Sequence, residues 1–294
     1  MTPRSAIERR LADPAAFRES LLLAGAQTGF HPRLIEKDFY CSLILADLEP
    51  LFDLGLVFKG GTALSKVLCG FFRLSEDLDF VIDTPIESQR SVRRELAAPV
   101  KNHLAGVEQR VPAIRVRSEL RGHNQSKQYE CVLEYQSALS GELEPLRVEI
   151  ALREPIRHTT SFEPARTLLD FSGEFEQSSA ESPRVRVMKR AEAYAEKTRA
   201  ALCRAEPAIR DFFDLQHAST QQLIDIDHEG WLRLVADKIA IDNNARVDVS
   251  QSRLRALQLQ LHTQLKPVLR PADFASFSLE SAWKLAVEIA SRLQ

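Results

Sequence analysis

The stretch that most constrains this 294-residue chain runs from Leu56 to Asp83. Leu56-Val57-Phe58 is a short apolar strand that ends at Lys59 and meets Gly60-Gly61. Two adjacent glycines make a turn and let a ligand approach the backbone closely. Thr62 can start a helix through Ala63, Leu64, Val67 and Leu68, which Gly70 can end. Then Leu78, Phe80 and Ile82 alternate with Asp77, Asp79, Val81 and Asp83, the period of a half-buried strand.

Around this stretch the pattern predicts a mixed sheet with helices. Residues 1–53 read as helix, with Leu34, Ile35, Phe39, Leu43, Leu45 and Leu48 at helical spacing and Glu36, Lys37 and Asp38 between them. Asp53-Leu54-Gly55 stops it. A helix follows from Glu87 to about His103. Three strands are expected next, at Ile114–Arg117, at Tyr129–Tyr135, and at Leu146–Leu152, where Arg147, Glu149 and Ala151 form the second face. Residues 158–183 read as a loop with one short strand near Leu168–Phe171. From Met188 the pattern is helical, over about 189–204, 208–218, 228–241, 249–264 and 273–292, with Pro207, Pro267 and Pro271 at the breaks. The expected fold class is α+β, with a sheet domain over 1–185 and an all-helical domain over 186–294.

Composition narrows the partners. With 39 Lys and Arg against 41 Asp and Glu, the net charge is -2, so a nucleic-acid surface would have to be a local patch. Eight Lys or Arg against three Glu between Arg184 and Arg210 are such a concentration. Cys41, Cys69, Cys131 and Cys203 lie far apart and read as reduced thiols. The N-terminus has no apolar signal core, and no window approaches the roughly 18 apolar residues of a membrane span. The expected location is the cytoplasm, with no membrane partner.

The chemistry concentrates in a few side chains. The first turn of a helix offers free N–H groups and a positive dipole end, which suits a phosphate, and Thr62 adds a hydroxyl. The same Gly-Gly turn also serves as plain structural punctuation. Lys59 can face a phosphate or water. Asp77 and Asp79, two apart, share a strand face, where a hard divalent cation would relieve their repulsion. A solvated strand end is the plainer alternative. Glu149 is the third acid, provided its strand pairs beside Asp79; otherwise it pairs with Arg147 or Arg153. Three carboxylates around two metal ions suit in-line phosphoryl or nucleotidyl transfer. His123, with Arg121 and Lys127, marks a polar hairpin tip that either touches nucleic acid or is simply solvated.

These pieces, taken in order, resemble a known family. Glu36-Lys37-Asp38-Phe39-Tyr40, Phe58-Lys59-Gly60-Gly61-Thr62-Ala63-Leu64, Arg73-Leu74-Ser75-Glu76-Asp77-Leu78-Asp79-Phe80, Glu196-Lys197 and Arg210-Asp211-Phe212-Phe213-Asp214-Leu215 look like the motifs of the AbiEii/AbiGii nucleotidyltransferase toxins. The resemblance implies a polymerase-β-like fold, a nucleoside triphosphate, and Mg²⁺ or Mn²⁺. It implies that Gly61 and Thr62 hold phosphates, with Gly60 and Lys59 joining them on the position of the turn, that Asp77 and Asp79 hold metal, and that Lys197 and Asp211 complete the catalytic set. It also implies a toxin with a cognate antitoxin and an RNA acceptor, tRNA above all. Two departures stand out: Gly-Thr replaces the wider superfamily's Gly-Ser, and fourteen residues separate Thr62 from Asp77. The competing readings are transfer to a small molecule or a protein, a kinase-like activity, and a non-catalytic nucleotide-sensing or partner-binding module.

Overall fold

A computed structural model describes residues 8–171, 182–241 and 246–293. It divides into two compact units, Met1–Met188 and Lys189–Gln294. The start of the expected N-terminal helix before residue 8, and residues 172–181 of the expected loop, lie outside the described residues.

The first unit opens with two helices rather than one. α1 (Pro14–Thr28) starts at Asp13, whose carboxylate accepts from the backbone N–H of Ala15 and Ala16, with Pro14 at the first position. It ends at Gly29, whose φ of +77° is the left-handed conformation that favours glycine. His31 then caps α2 (Pro32–Asp47). A continuous helix over 1–53 therefore fails at Gly29 and again after Asp47, where the short helix Glu49–Phe52 begins.

Seven strands form one mixed sheet among the described residues: β1 (Leu56–Lys59), β2 (Leu78–Ile82), β3 (Ile114–His123), β4 (Gln128–Gln136), β5 (Leu143–Ala151), β6 (Ser161–Pro164) and β7 (Arg184–Val187). Their order is β3-β4-β5-β2-β1-β7-β6. β2 is central, antiparallel to β1 and parallel to β5. That position corrects the half-buried reading of β2: Val81 is as buried as Phe80, and Asp79 alone on the strand keeps partial exposure. β3 runs on to His123, through two register shifts that interrupt its alternation. The segment Leu168–Phe171 is a 3₁₀ turn and not a strand. The strands near it are β6 and β7, too short to show a period.

Apolar side chains of α1, α2 and one sheet face make the core. Phe17 meets Phe39 at 4.8 Å, Tyr40 stacks on Tyr135 at 3.8 Å, and Phe58 lies 5.4 Å from Phe80. α3 (Arg90–Ala105) adds Ala97, Val100 and Leu104. Cys41 and Cys131 are free thiols buried in this core, and burial pushes both up to about 12.

The second unit is helical: α4 (Arg190–Cys203), α5 (Ile209–Thr220), α6 (Glu229–Ile239), α7 (Gln251–Gln260), α8 (Pro271–Ser276) and α9 (Leu279–Arg292). The expected helix over 273–292 is two helices, because the backbone turns extended at Phe277 and Ser278 caps a new start. Trp231 and Trp283 are core residues; Trp231 donates to the Ala191 carbonyl and Trp283 stacks on Phe212. Lys238 is fully buried, with its ammonium 2.7 Å from Glu192 and 3.3 Å from Glu196. The guanidinium of Arg253 caps the end of α4 by donating to the carbonyls of Ala201 and Arg204. The protein has an α+β fold: a mixed sheet with flanking helices and a following helical unit. No helix among the described residues is long and apolar enough to cross a membrane.

Candidate active site

The Gly-Gly turn sits at the end of β1 and opens a short helix, Gly60–Ala63, which continues as a wider turn over Leu64–Leu68. Gly60 has φ +76°, and a Cβ there would fall 2.2 Å from Oδ2 of Asp79. A Cβ on Gly61 would fall 2.5 Å from Nη2 of Arg73 and 2.9 Å from Oγ of Ser75. The glycines therefore do more than turn the chain. They leave room for a carboxylate and a guanidinium against the backbone, on either side of one peptide.

Arg73 carries a role the sequence reading missed. It is 1% exposed, and its Nη1 donates to the Leu74 carbonyl at 3.0 Å. A fixed positive charge thus stands beside the turn. Its signals in the sequence are an arginine enclosed by Phe72 and Leu74 and its place at the head of the motif that carries Asp77 and Asp79.

Thr62 is 2% exposed, and its hydroxyl donates to the backbone carbonyl of Asp77. A hydroxyl has one proton. Here it ties the helix start to the loop that carries Asp77. Asp77 itself precedes β2 by one residue, so it belongs to that loop and not to the strand. Ser65 adds a second tie: its hydroxyl lies 2.8 Å from the Arg73 carbonyl in that loop and 3.1 Å from the Gly61 carbonyl in its own turn, and it can donate to one of the two at a time. The ammonium of Lys37 reaches Glu76 at 2.8 Å.

Across the sheet the register places Lys59 opposite Asp79, Asp79 opposite Glu149, and Glu149 opposite Glu130. Glu149 accordingly stands one strand from Asp79, about 4.8 Å in the pairing direction. Its carboxylate accepts from the amide of Gln128 at 3.1 Å and lies 3.8 Å from Arg147. Among the described residues no three His, Cys, Asp or Glu side chains are grouped closely enough to hold a metal. Lys59 is largely buried, with its ammonium 3.7 Å from Glu154, which also has Arg153 at 3.5 Å.

α2 supports the turn from beneath. Asp38 forms a buried pair with Lys66 at 2.6 Å, and its other oxygen accepts from Thr167 and from the Leu168 N–H. Glu36 accepts from Ser137 and from the Ala138 N–H at 2.6 Å each. Burial pushes its carboxyl above the usual range, against those two bonds. The three charged residues that interrupt the apolar period of α2 are thus each satisfied by a distant partner.

In the second unit the ammonium of Lys197 lies 2.9 Å from Asp211 and 3.1 Å from Asp214. Arg204 approaches Asp211 at 3.5 Å. Asp211 and Asp214 are both buried acids of α5 that hold one lysine.

The family model for the nucleotidyl transferase AbiEii toxin, type IV toxin–antitoxin system, matches residues 43–286. No curated protein matches the chain. Two crystal structures from Helicobacter pylori are similar over most of their length. One, a candidate nucleotidyltransferase, is 18% identical with 94% of each chain covered and a TM-score of 0.47. The other, JHP933, is 18% identical with 89% of each chain covered and the same TM-score. The turn that cradles Asp79 lies inside the matched residues, and the chain belongs to the AbiEii nucleotidyl transferase toxin family of type IV toxin–antitoxin systems, as a nucleotidyltransferase.

Proposed function

We propose that the protein moves a nucleotide from a nucleoside triphosphate onto the 3′ end of an RNA, tRNA in the first place, with Mg²⁺ as its ion. The observation that carries the reading is the carboxylate of Asp79 seated against Gly60, at the head of a strand–Gly-Gly–helix turn with Arg73 behind it.

The donor set fits the ion. Mg²⁺ is usually held by one or two carboxylates, with substrate phosphates and water completing its shell. Asp77 and Asp79 are half-buried hard-oxygen donors of that kind. When bound, the ion would neutralise charge on the triphosphate and polarise the phosphoryl group.

The rest falls to the chain. Backbone N–H groups after Gly60 take phosphate oxygens, and the Arg73 guanidinium adds positive potential beneath them. Thr62 positions Asp77 through its carbonyl. The RNA 3′ hydroxyl attacks the α-phosphorus; one P–O bond forms, the bond to the bridging oxygen breaks, and pyrophosphate leaves. Glu149, one strand over, is our candidate acceptor for the hydroxyl proton. Lys197 and Asp211 enter through the family resemblance, with Asp211 and Asp214 fixing the ammonium. An antitoxin is the partner that a type IV system suggests, and the cytoplasm is the proposed location.

Incubation with Mg²⁺, total bacterial RNA and each α-³²P triphosphate in turn tests this. Label in tRNA-sized RNA, absent with an Asp77→Asn, Asp79→Asn variant, is the expected result. Label only in protein or small molecules removes the proposed acceptor, and label nowhere removes the proposed reaction.

A further inference from the structure

We infer that the cleft between α3 and the β3–β4 hairpin binds the phosphate backbone of the acceptor RNA. The inference rests on the RNA reading above and gives that acceptor a surface.

The cleft has a volume of about 670 Å³. Arg90, Arg94 and Lys101 line it from α3, together with one carboxylate, Glu95. Steps of four and seven residues keep the three cations on one helix face. Eleven residues at about 1.5 Å each spread them over about 16 Å. All three are exposed. The platform is rigid beneath them: Arg93 is buried and its guanidinium donates to the carbonyls of Leu152 and Ile86, both at 3.1 Å.

The opposite wall is the hairpin tip. A Cβ on Gly122 would lie 3.0 Å from the Tyr129 ring, so the glycine lets the strand rest on that ring. Asn124, Gln125 and Ser126 are three successive non-glycine residues with φ of 49°, 57° and 63°. L side chains avoid this conformation, and backbone held there clusters at ligand clamps and switch regions. Arg121, His123 and Lys127, which the sequence marks as a polar tip, belong to the same hairpin.

The shape selects the ligand. A free nucleotide needs cations converging on one phosphate group and a face for its base. Here the cations are strung along a helix, and Tyr129, the aromatic residue of the lining, is buried. Spaced, exposed cations without a base platform match a polyanion backbone, whose binding is driven by counterion release.

The test is fluorescence anisotropy of the full chain with fluorescein-labelled tRNA, and separately with a fluorescent ATP analogue, between 50 and 200 mM NaCl. Replacing Arg90, Arg94 and Lys101 by Ala should lower the slope of log affinity against log salt by about 2 to 3 and leave ATP binding unchanged. Glu95→Lys should tighten RNA binding, a change of opposite sign that misfolding does not produce. Asp79→Asn should bind RNA like the wild type. A wild-type slope and affinity in the triple variant overturns the inference, as does a loss confined to ATP. RNA binding that follows the cations in a protein that labels no RNA removes the proposed acceptor reaction and keeps the cleft. RNA labelling that ignores all three substitutions does the reverse.

Discussion

Gly60 and Asp79 compete for one space: a Cβ on Gly60 would lie 2.2 Å from Oδ2 of Asp79 and 2.8 Å from its Cβ. Gly60→Ala must therefore push the carboxylate aside. A displacement of about 1 Å at a reacting centre costs on the order of 10²-fold in rate. The φ of +76° adds a backbone cost of about 1–2 kcal/mol. Gly55→Ala is the control, because Gly55 has φ +98° with nothing within 4 Å of its Cβ position. Both variants should melt lower, and Gly60→Ala alone should lose single-turnover transfer. Equal activity in the two would contradict the cradle.

Thr62 separates positioning from phosphate binding. Thr62→Ser keeps the hydroxyl bond to the Asp77 carbonyl, and Thr62→Val removes it, at about 1 kcal/mol of stability. If the hydroxyl acts through Asp77, Thr62→Val should raise the Mg²⁺ concentration for half-maximal activity several-fold and leave KM for the triphosphate near wild type. Thr62→Ser should restore both. A change in KM alone would assign the hydroxyl to the triphosphate.

Lys66 and Asp38 are a fully buried pair under the turn. Lys66→Met leaves the Asp38 charge uncompensated, which costs about 3–5 kcal/mol. Lys66→Met with Asp38→Asn should recover part of that loss, since a neutral amide can still meet Thr167. Urea unfolding of the single and double variants checks it; a double variant less stable than the single would count against the pairing.

The carboxylate of Asp47 is held by Arg110 at 2.8 and 2.9 Å and by His103 at 3.0 Å. Burial pushes this carboxyl up, but the bonds from Arg110 and His103 outweigh it and bring it down to about 2. An unfolded aspartate titrates near 3.9. The folded value is the lower one, so the stabilisation, about 2–3 kcal/mol, is complete above about pH 5 and fades as pH falls through about 4 to 2. The stability gap between wild type and Asp47→Asn should be flat near neutrality and narrow below about pH 5. A constant gap down to pH 2.5 would show that Asp47 does not titrate as described.

How much of this was legible in the sequence depends on the range of the interaction. The strand–Gly-Gly–helix turn and the alternation around Asp79 are local patterns, and they point to a strand pair in an α+β fold without giving the strand order. The clean period of β5 put Glu149 on its polar face, but the strand beside it was left open, and the Asp79 register comes from the sheet order. What escaped was made by distant residues. Asp38 meets Lys66 twenty-eight positions away, and Glu36 meets Ser137 across 101. In the sequence these acids only interrupt an apolar stripe. Lys238 finds Glu192 and Glu196 through helix packing, across 46 and 42 positions. β6 and β7 are four residues each, too short for a period to emerge. The buried state of Val81 needed the knowledge that both faces of β2 are covered.

The central claim is that the carboxylates beside the Gly-Gly turn perform nucleotide transfer. The most direct measurement is the rate of α-³²P transfer to RNA at saturating triphosphate and Mg²⁺, for wild type and for Asp79→Asn, with equal RNA binding verified for both. The account predicts a loss of at least about 10²-fold with RNA affinity unchanged. Transfer at the wild-type rate by Asp79→Asn would contradict it and move the chemistry to another part of the chain.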